Sequence, residues 1–98
     1  MLIYHIVLPD VWTAFDTGHY KHPSLVREGF IHCSFAYQLD AVIGKYYGNE
    51  KRITVLEIES DRLMSRMIKE SSTNSEIYPH IYGPINRDAI VRVEERDV

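Results

Sequence analysis

A chain of 98 residues with 45% hydrophobic and 26% charged side chains has the composition of one globular domain, residues 1–98, and excludes disorder, collagen-like repeats and a coiled coil. The net charge of −3 excludes the basic surface that double-stranded DNA requires, and a single cysteine excludes an internal disulfide. The apolar opening Met1–Leu8 lacks a basic leader, and no apolar run approaches the ~20 residues that cross a bilayer, so a cytoplasmic monomer with no membrane partner is expected.

Ile3-Tyr4-His5-Ile6-Val7-Leu8 is rich in β-branched and aromatic residues and reads as a strand. Pro9 ends it. Asp10 is placed to cap a short helix through Val11, Trp12, Ala14 and Phe15, which Thr17-Gly18 stops. The loop from His19 to Pro23 leads to a second helical turn, capped by Ser24, running from Leu25 to Glu28 and closed by Gly29. Phe30 to Ser34 reads as the second strand. Leu39, Val42, Ile43, Tyr46 and Tyr47 recur at a helical period within Tyr37 to Tyr47, with Gly48-Asn49 as the stop.

Arg52 to Glu59 reads as a buried strand with one odd carboxylate, Glu57, expected to face solvent or to pair with Arg92. Asp61 to Met64 reads as one helical turn and Arg66 to Lys69 as a short strand. Ser71 to Ser75 is a polar loop. Ile77 to Tyr82 is extended, Gly83-Pro84 turns the chain, and Ala89 to Glu94 alternates as a last strand. Together these elements predict an α+β fold of small, mainly antiparallel sheets with two or three short helices.

Strand alternation carries the chemistry. It sets His5 on a face with Ile3 and Val7, His32 with Phe30 and Ser34, and His80 with Tyr78 and Tyr82. Three separate strands each offer one histidine among apolar or aromatic neighbours. Adjacent strands would bring them to one cleft, where histidine serves as acid, base or anion donor near neutral pH. The competing reading is three semi-buried histidines bonded to backbone carbonyls. His19 and His22 sit in a loop and read as solvated. The histidines lie far apart, with no CxxC or HExxH spacing, so no metal is expected. Cys33 alternates away from His32 and reads as a buried thiol, and Ser34 as a hydrogen-bond donor outside any G-x-S-x-G turn.

Ile3-Tyr4-His5, Pro23-Ser24-Leu25, Glu28-Gly29-Phe30-Ile31-His32-Cys33-Ser34 and Tyr78-Pro79-His80-Ile81-Tyr82-Gly83-Pro84 resemble the family called domain of unknown function 952, small bacterial-type cytoplasmic proteins. The likeness runs nearly end to end and includes Trp12 and Leu56-Glu57-Ile58. It implies a fold similar to the ADP-ribosyltransferases, two small sheets around a cleft that binds nicotinamide dinucleotide in the active enzymes. Tyr4-His5 and His32-Cys33-Ser34 look like two elements of the RNA 2′-phosphotransferases of that fold, although Ile6-Val7 stands where those enzymes have Gly-Thr. On that analogy His5 and His32 hold the ribose or phosphate of a nucleotide, Ser34 supports them, and Tyr82 stacks on a base or nicotinamide ring.

Residue pattern and resemblance together predict a histidine-lined pocket for a nucleotide or other phosphorylated small molecule. His5, His32 and His80 are the catalytic candidates; Ser34, Tyr82, Tyr78 and Phe30 are the ligand-binding candidates. NAD is the candidate cofactor, and transfer of an ADP-ribosyl or phosphoryl group the candidate reaction. The alternative is a non-catalytic module that senses a metabolite or docks on a protein.

Overall fold

β-Branched and aromatic side chains suit a pleated, half-buried surface, and runs of them build six strands. The computed structural model describes residues 1–15, 18–72 and 75–98. Its strands are β1 (Leu2–Val7), β2 (Ile31–His32), β3 (Arg52–Glu59), β4 (Arg66–Ser71), β5 (Ile77–Tyr82) and β6 (Ile90–Asp97). Between them lie helices α1 (Pro9–Thr13), α2 (Ser24–Glu28) and α3 (Leu39–Tyr47), with 3-10 turns at Ala36–Gln38, Ser60–Arg62 and Arg87–Ala89. The fold is α+β, with two three-stranded antiparallel sheets ordered β1-β3-β6 and β2-β5-β4. No helix among the described residues is long and apolar enough to cross a membrane.

The first sheet is covered on both faces, which requires apolar residues at consecutive positions. Ile3 and Val7 of β1, with Leu56 and Ile58 of β3, meet Ile31 and Ile81 of the second sheet. Ile6, Ile53 and Val55 point the other way and pack on Leu39 and Ile43 of α3. This is why β3 is buried without a break from Ile53 to Leu56, Thr54 included, up to Glu57, which stands opposite Arg92 of β6 and is half-buried beside the Tyr4 hydroxyl, 3.5 Å away. The expected pairing is not the one made: Arg92 lies opposite Glu57 in the register but contacts Glu94 at 3.5 Å, and Glu57 meets the Tyr4 hydroxyl instead, on the same face as a buried Val55.

The expected strand Phe30–Ser34 is divided between the sheets. Ile31 and His32 pair with Ile81 and His80 of β5, and the Cys33 N–H still donates to the Pro79 carbonyl at 3.1 Å. Ser34 then exchanges bonds with Tyr4 of β1, at 2.7 and 2.8 Å. One short segment therefore stitches the two sheets together.

Local signals place the remaining ends. Pro9 is the first residue of α1, where its fixed φ suits a helix and its missing N–H costs nothing; Asp10 lies inside the first turn and does not cap it. The helix ends at Thr13, short of the expected stop, and Thr17 lies outside the described residues. Ser24 likewise opens α2 from within, and Gly29 closes it in the left-handed region with φ +86°. β4 runs on to Ser71, at the edge of the expected polar loop, of which Thr73 and Asn74 lie outside the described residues. β6 extends to Asp97 because its backbone pairs with β3 as far as Arg52 opposite Asp97, and its charges find partners on that edge: Arg96 contacts Glu94 at 2.8 Å and Glu95 contacts Arg52 at 3.5 Å.

Gln38 ties the start of α3 to the start of β5. Its Oε1 accepts the Phe35 N–H at 2.9 Å, and its Nε2 donates to the Ile77 carbonyl at 2.7 Å and to Glu76 Oε1 at 2.9 Å. The side chain is buried, so Gln38→Ala strands two backbone groups and costs about 1–3 kcal/mol. Urea unfolding should show a lower midpoint at unchanged slope; a wild-type midpoint would refute this role.

Candidate functional site

Between the two sheets, α2 and α3 lies a cavity of about 610 Å³, within the range of small-molecule sites. His5, Phe30, His32, Ser34, Tyr78 and His80 all border it. The three histidines expected on separate strands do converge. Tyr82 does not border the cavity; it is exposed beyond Phe30, with ring centroids 5.3 Å apart, and its hydroxyl donates to Glu70.

His5 is enclosed, and its hydrogen bonds define its state. The His32 carbonyl can only accept, so His5 donates Nδ1–H to it at 2.7 Å, and its Nε2 lone pair takes the Tyr20 hydroxyl at 2.8 Å. Burial, partly opposed by the carbonyl bond, drives its pKa down to about 3. Burial also pushes the Tyr20 hydroxyl far up, so it stays a donor. His5 is therefore neutral near pH 7 with both nitrogens occupied. Trp12 and Phe15 close over Tyr20 edge-on, with ring centroids 5.3 and 5.4 Å away. The tyrosine backbone bonds Ile85 in both directions at 2.8 Å. The bland expectation, a buried histidine bonded to a backbone carbonyl, describes His5.

His32 and His80 are different. They are direct partners in the β2–β5 register, with ring centroids 5.4 Å apart and planes at 73°. Each has one nitrogen held by a carboxylate: His32 Nε2 by Glu28 at 2.8 Å, and His80 Nδ1 by Glu70 at 2.9 Å. The bond to His32 is the main cause holding the Glu28 carboxyl below its ordinary range; for Glu70 it is the Tyr82 hydroxyl first and His80 second. Phe30 lies nearly parallel on His80 at 4.1 Å and tilted on His32 at 4.8 Å. The second nitrogen of each ring has no protein partner among the described residues. A carboxylate on one side orients an imidazole so that the other side can exchange a proton or a hydrogen bond.

Three polar groups of the cleft escape the sequence pattern. His22, expected in a solvated loop, is half-buried, borders the cavity and stands edge-on to His5 at 5.1 Å. Its Nδ1 faces the Ser24 N–H and hydroxyl, each at 3.0 Å, which turns the loop inward before α2. Glu28 had a signal available, four residues before His32 across a glycine-closed turn. Glu70 had none, because only the pairing of β4 with β5 brings it to His80. Cys33 is buried, and burial pushes its thiol far up. Among the described residues no three His, Cys, Asp or Glu side chains group as metal ligands.

Residues 6–93 match the family model described as protein of unknown function (DUF952). Among solved structures, the crystal structure of protein CC0527 from Caulobacter crescentus aligns with a TM-score of 0.86 at 24% identity, over 100% of this chain and 88% of that one. The solution NMR structure of CC0527 aligns with a TM-score of 0.77 at 25% identity, over 99% of this chain and 84% of that one. No curated protein matches the chain. These likenesses support the fold and assign no ligand.

The state of His5 has a consequence for stability. Its folded pKa lies below the unfolded value of 6.5, so the native state binds fewer protons. The stabilisation is complete above that value and is lost progressively as pH falls toward 3. His5→Gln should flatten the fall in urea midpoint between about pH 7 and 5.5, without abolishing it, because burial also lowers the pKa of His22. A midpoint that falls as steeply as in the wild type would contradict the assignment. Tyr20→Phe, which leaves Nε2 buried without a donor, should cost about 1–3 kcal/mol.

Proposed function

The chain belongs to the family of proteins of unknown function described as DUF952, and we propose that it binds a nucleotide or related phosphorylated small molecule in the cleft between its two sheets. The observation that carries this reading is the pair His32 and His80. They face each other across β2 and β5, are backed by Glu28 and Glu70, and are roofed by Phe30 beside a cavity of about 610 Å³. Arg27 and the hydroxyl of Ser34 border the same cavity as donors for anionic oxygen, and Tyr46, Tyr47 and Tyr78 offer flat rings to a base.

The arrangement of two small sheets around a cleft is read as ADP-ribosyltransferase-like, with NAD as the candidate cofactor. In that reading His32 and His80 are the acid and base of an ADP-ribosyl or phosphoryl transfer, and Ser34, Tyr78 and Phe30 hold the ligand. His5 shapes the wall, since it has no nitrogen left to react. Tyr82 acts through Glu70. Fold alone does not fix a reaction, so the ligand is the first thing to establish.

A two-dimensional NMR titration with NAD, ADP-ribose and a 2′-phosphorylated oligoribonucleotide tests the reading. It should follow backbone amides and histidine ring signals together. Saturable shifts are expected at His22, His32 and His80, with none along β6. His32→Ala and His80→Ala should each weaken binding at least ~10-fold, the scale of one hydrogen bond to a charged group. An absence of shifts at millimolar ligand would remove the nucleotide reading. Saturable binding without turnover would make the cleft a sensing module.

A further inference from the structure

One ring in the cleft has its tautomer set by the backbone. The N–H of Ser24 lies 3.0 Å from His22 Nδ1, and the Ser24 hydroxyl lies 3.0 Å from the same atom. An amide N–H cannot accept, so Nδ1 carries the lone pair and the neutral ring carries its proton on Nε2. Pro23, between the two residues, holds the turn with φ −53°. The ring borders the cavity, and its Nε2–H has no protein partner among the described residues.

The neighbouring His5 has the opposite tautomer, with both nitrogens spent. Of these two edge-on rings, only His22 has a polar atom left for a ligand. Burial is the main cause that lowers the readiness of His22 to take a second proton; Arg27 and His32 act in the same direction and Glu28 opposes them. A ring in this state is a donor only. Its basic nitrogen is covered, so it can be neither a metal ligand nor a general base, and it repels no cationic neighbour such as Arg27.

Resting on the cleft reading above, we propose that His22 is a ligand-binding residue whose neutral imidazole donates Nε2–H to an anionic oxygen, phosphoryl or carboxylate, with Arg27 supplying the charge from the same cavity wall. The neutral ring discriminates by acceptor geometry, and the guanidinium by charge.

Long-range proton–nitrogen spectra of the labelled wild-type chain read the tautomer directly. A protonated Nε2 and a bare Nδ1 are expected at about pH 8, where the ring is neutral. The Nε2–H resonance should move on addition of ADP-ribose. Inorganic phosphate alone should reproduce part of that shift if phosphoryl oxygen is the partner; acetate should do so if carboxylate is. His22→Phe, which keeps a ring and removes the donor, should weaken ADP-ribose binding about 10- to 100-fold. His22→Gln, which restores an N–H at similar reach, should recover most of it. A proton found on Nδ1, or His22→Phe binding ADP-ribose as the wild type does, overturns the proposal while leaving the cleft reading intact. A wild-type chain that binds none of these probes removes both. The tautomer is read on the unmodified protein, so a misfolded variant cannot decide the result.

Discussion

A buried imidazole is tolerable when each nitrogen meets a group of the right polarity. His5 meets both conditions at once, and in doing so joins three stretches that lie far apart in the chain. Its Nδ1–H reaches the carbonyl of His32 at the end of β2, and its Nε2 receives the hydroxyl of Tyr20, whose backbone is bonded to Ile85. The rest of the cleft hangs on this contact. It fixes the position of the His32 backbone, and hence the direction in which the His32 side chain leaves the strand. It also gives His22 a flat neighbour to stand against.

From that anchor, antiparallel pairing does the positioning. The β2–β5 register puts His32 opposite His80, and β4–β5 pairing brings Glu70 within reach of His80 and Tyr82. The turn between α2 and β2, closed by Gly29, folds Glu28 back onto His32. Two histidine–carboxylate pairs thus arise from different devices: a tight turn in one case and a cross-strand diagonal in the other. Each orients a ring without occupying both of its nitrogens, and in this they differ from His5.

What a single sequence could reveal follows the same division. Period-two alternation correctly gave each of His5, His32 and His80 a place among apolar or aromatic residues, because side-chain direction on a strand is a local property. β1, β3, β5 and α3 are legible for similar reasons, since propensity and burial agree along them. The roles were not legible. Alternation cannot distinguish a histidine with both nitrogens spent from one with a nitrogen free, because the distinction depends on Tyr20, Glu28 and Glu70, which arrive by tertiary pairing. His22 was misread because loops are usually solvated, whereas here the Ser24 N–H draws the ring inward. Tyr82 shares its alternation face with His80 but lies one step beyond the cavity, a displacement that only the sheet edge reveals.

The segment from Ile31 to Ser34 pairs with β5 at one end and with β1 at the other, within four consecutive residues. Jaws that swing apart need a hinge whose backbone groups are released from both sides. Here the backbone at the back of the cleft is committed to both sheets, and His5 adds a third fastening at His32. The two sheets are therefore fastened to one another through one continuous segment. A ligand bound as proposed would then be met by adjustment of the α2 and α3 walls, the gap acting as a gauge of fixed bore rather than a clamp that shuts.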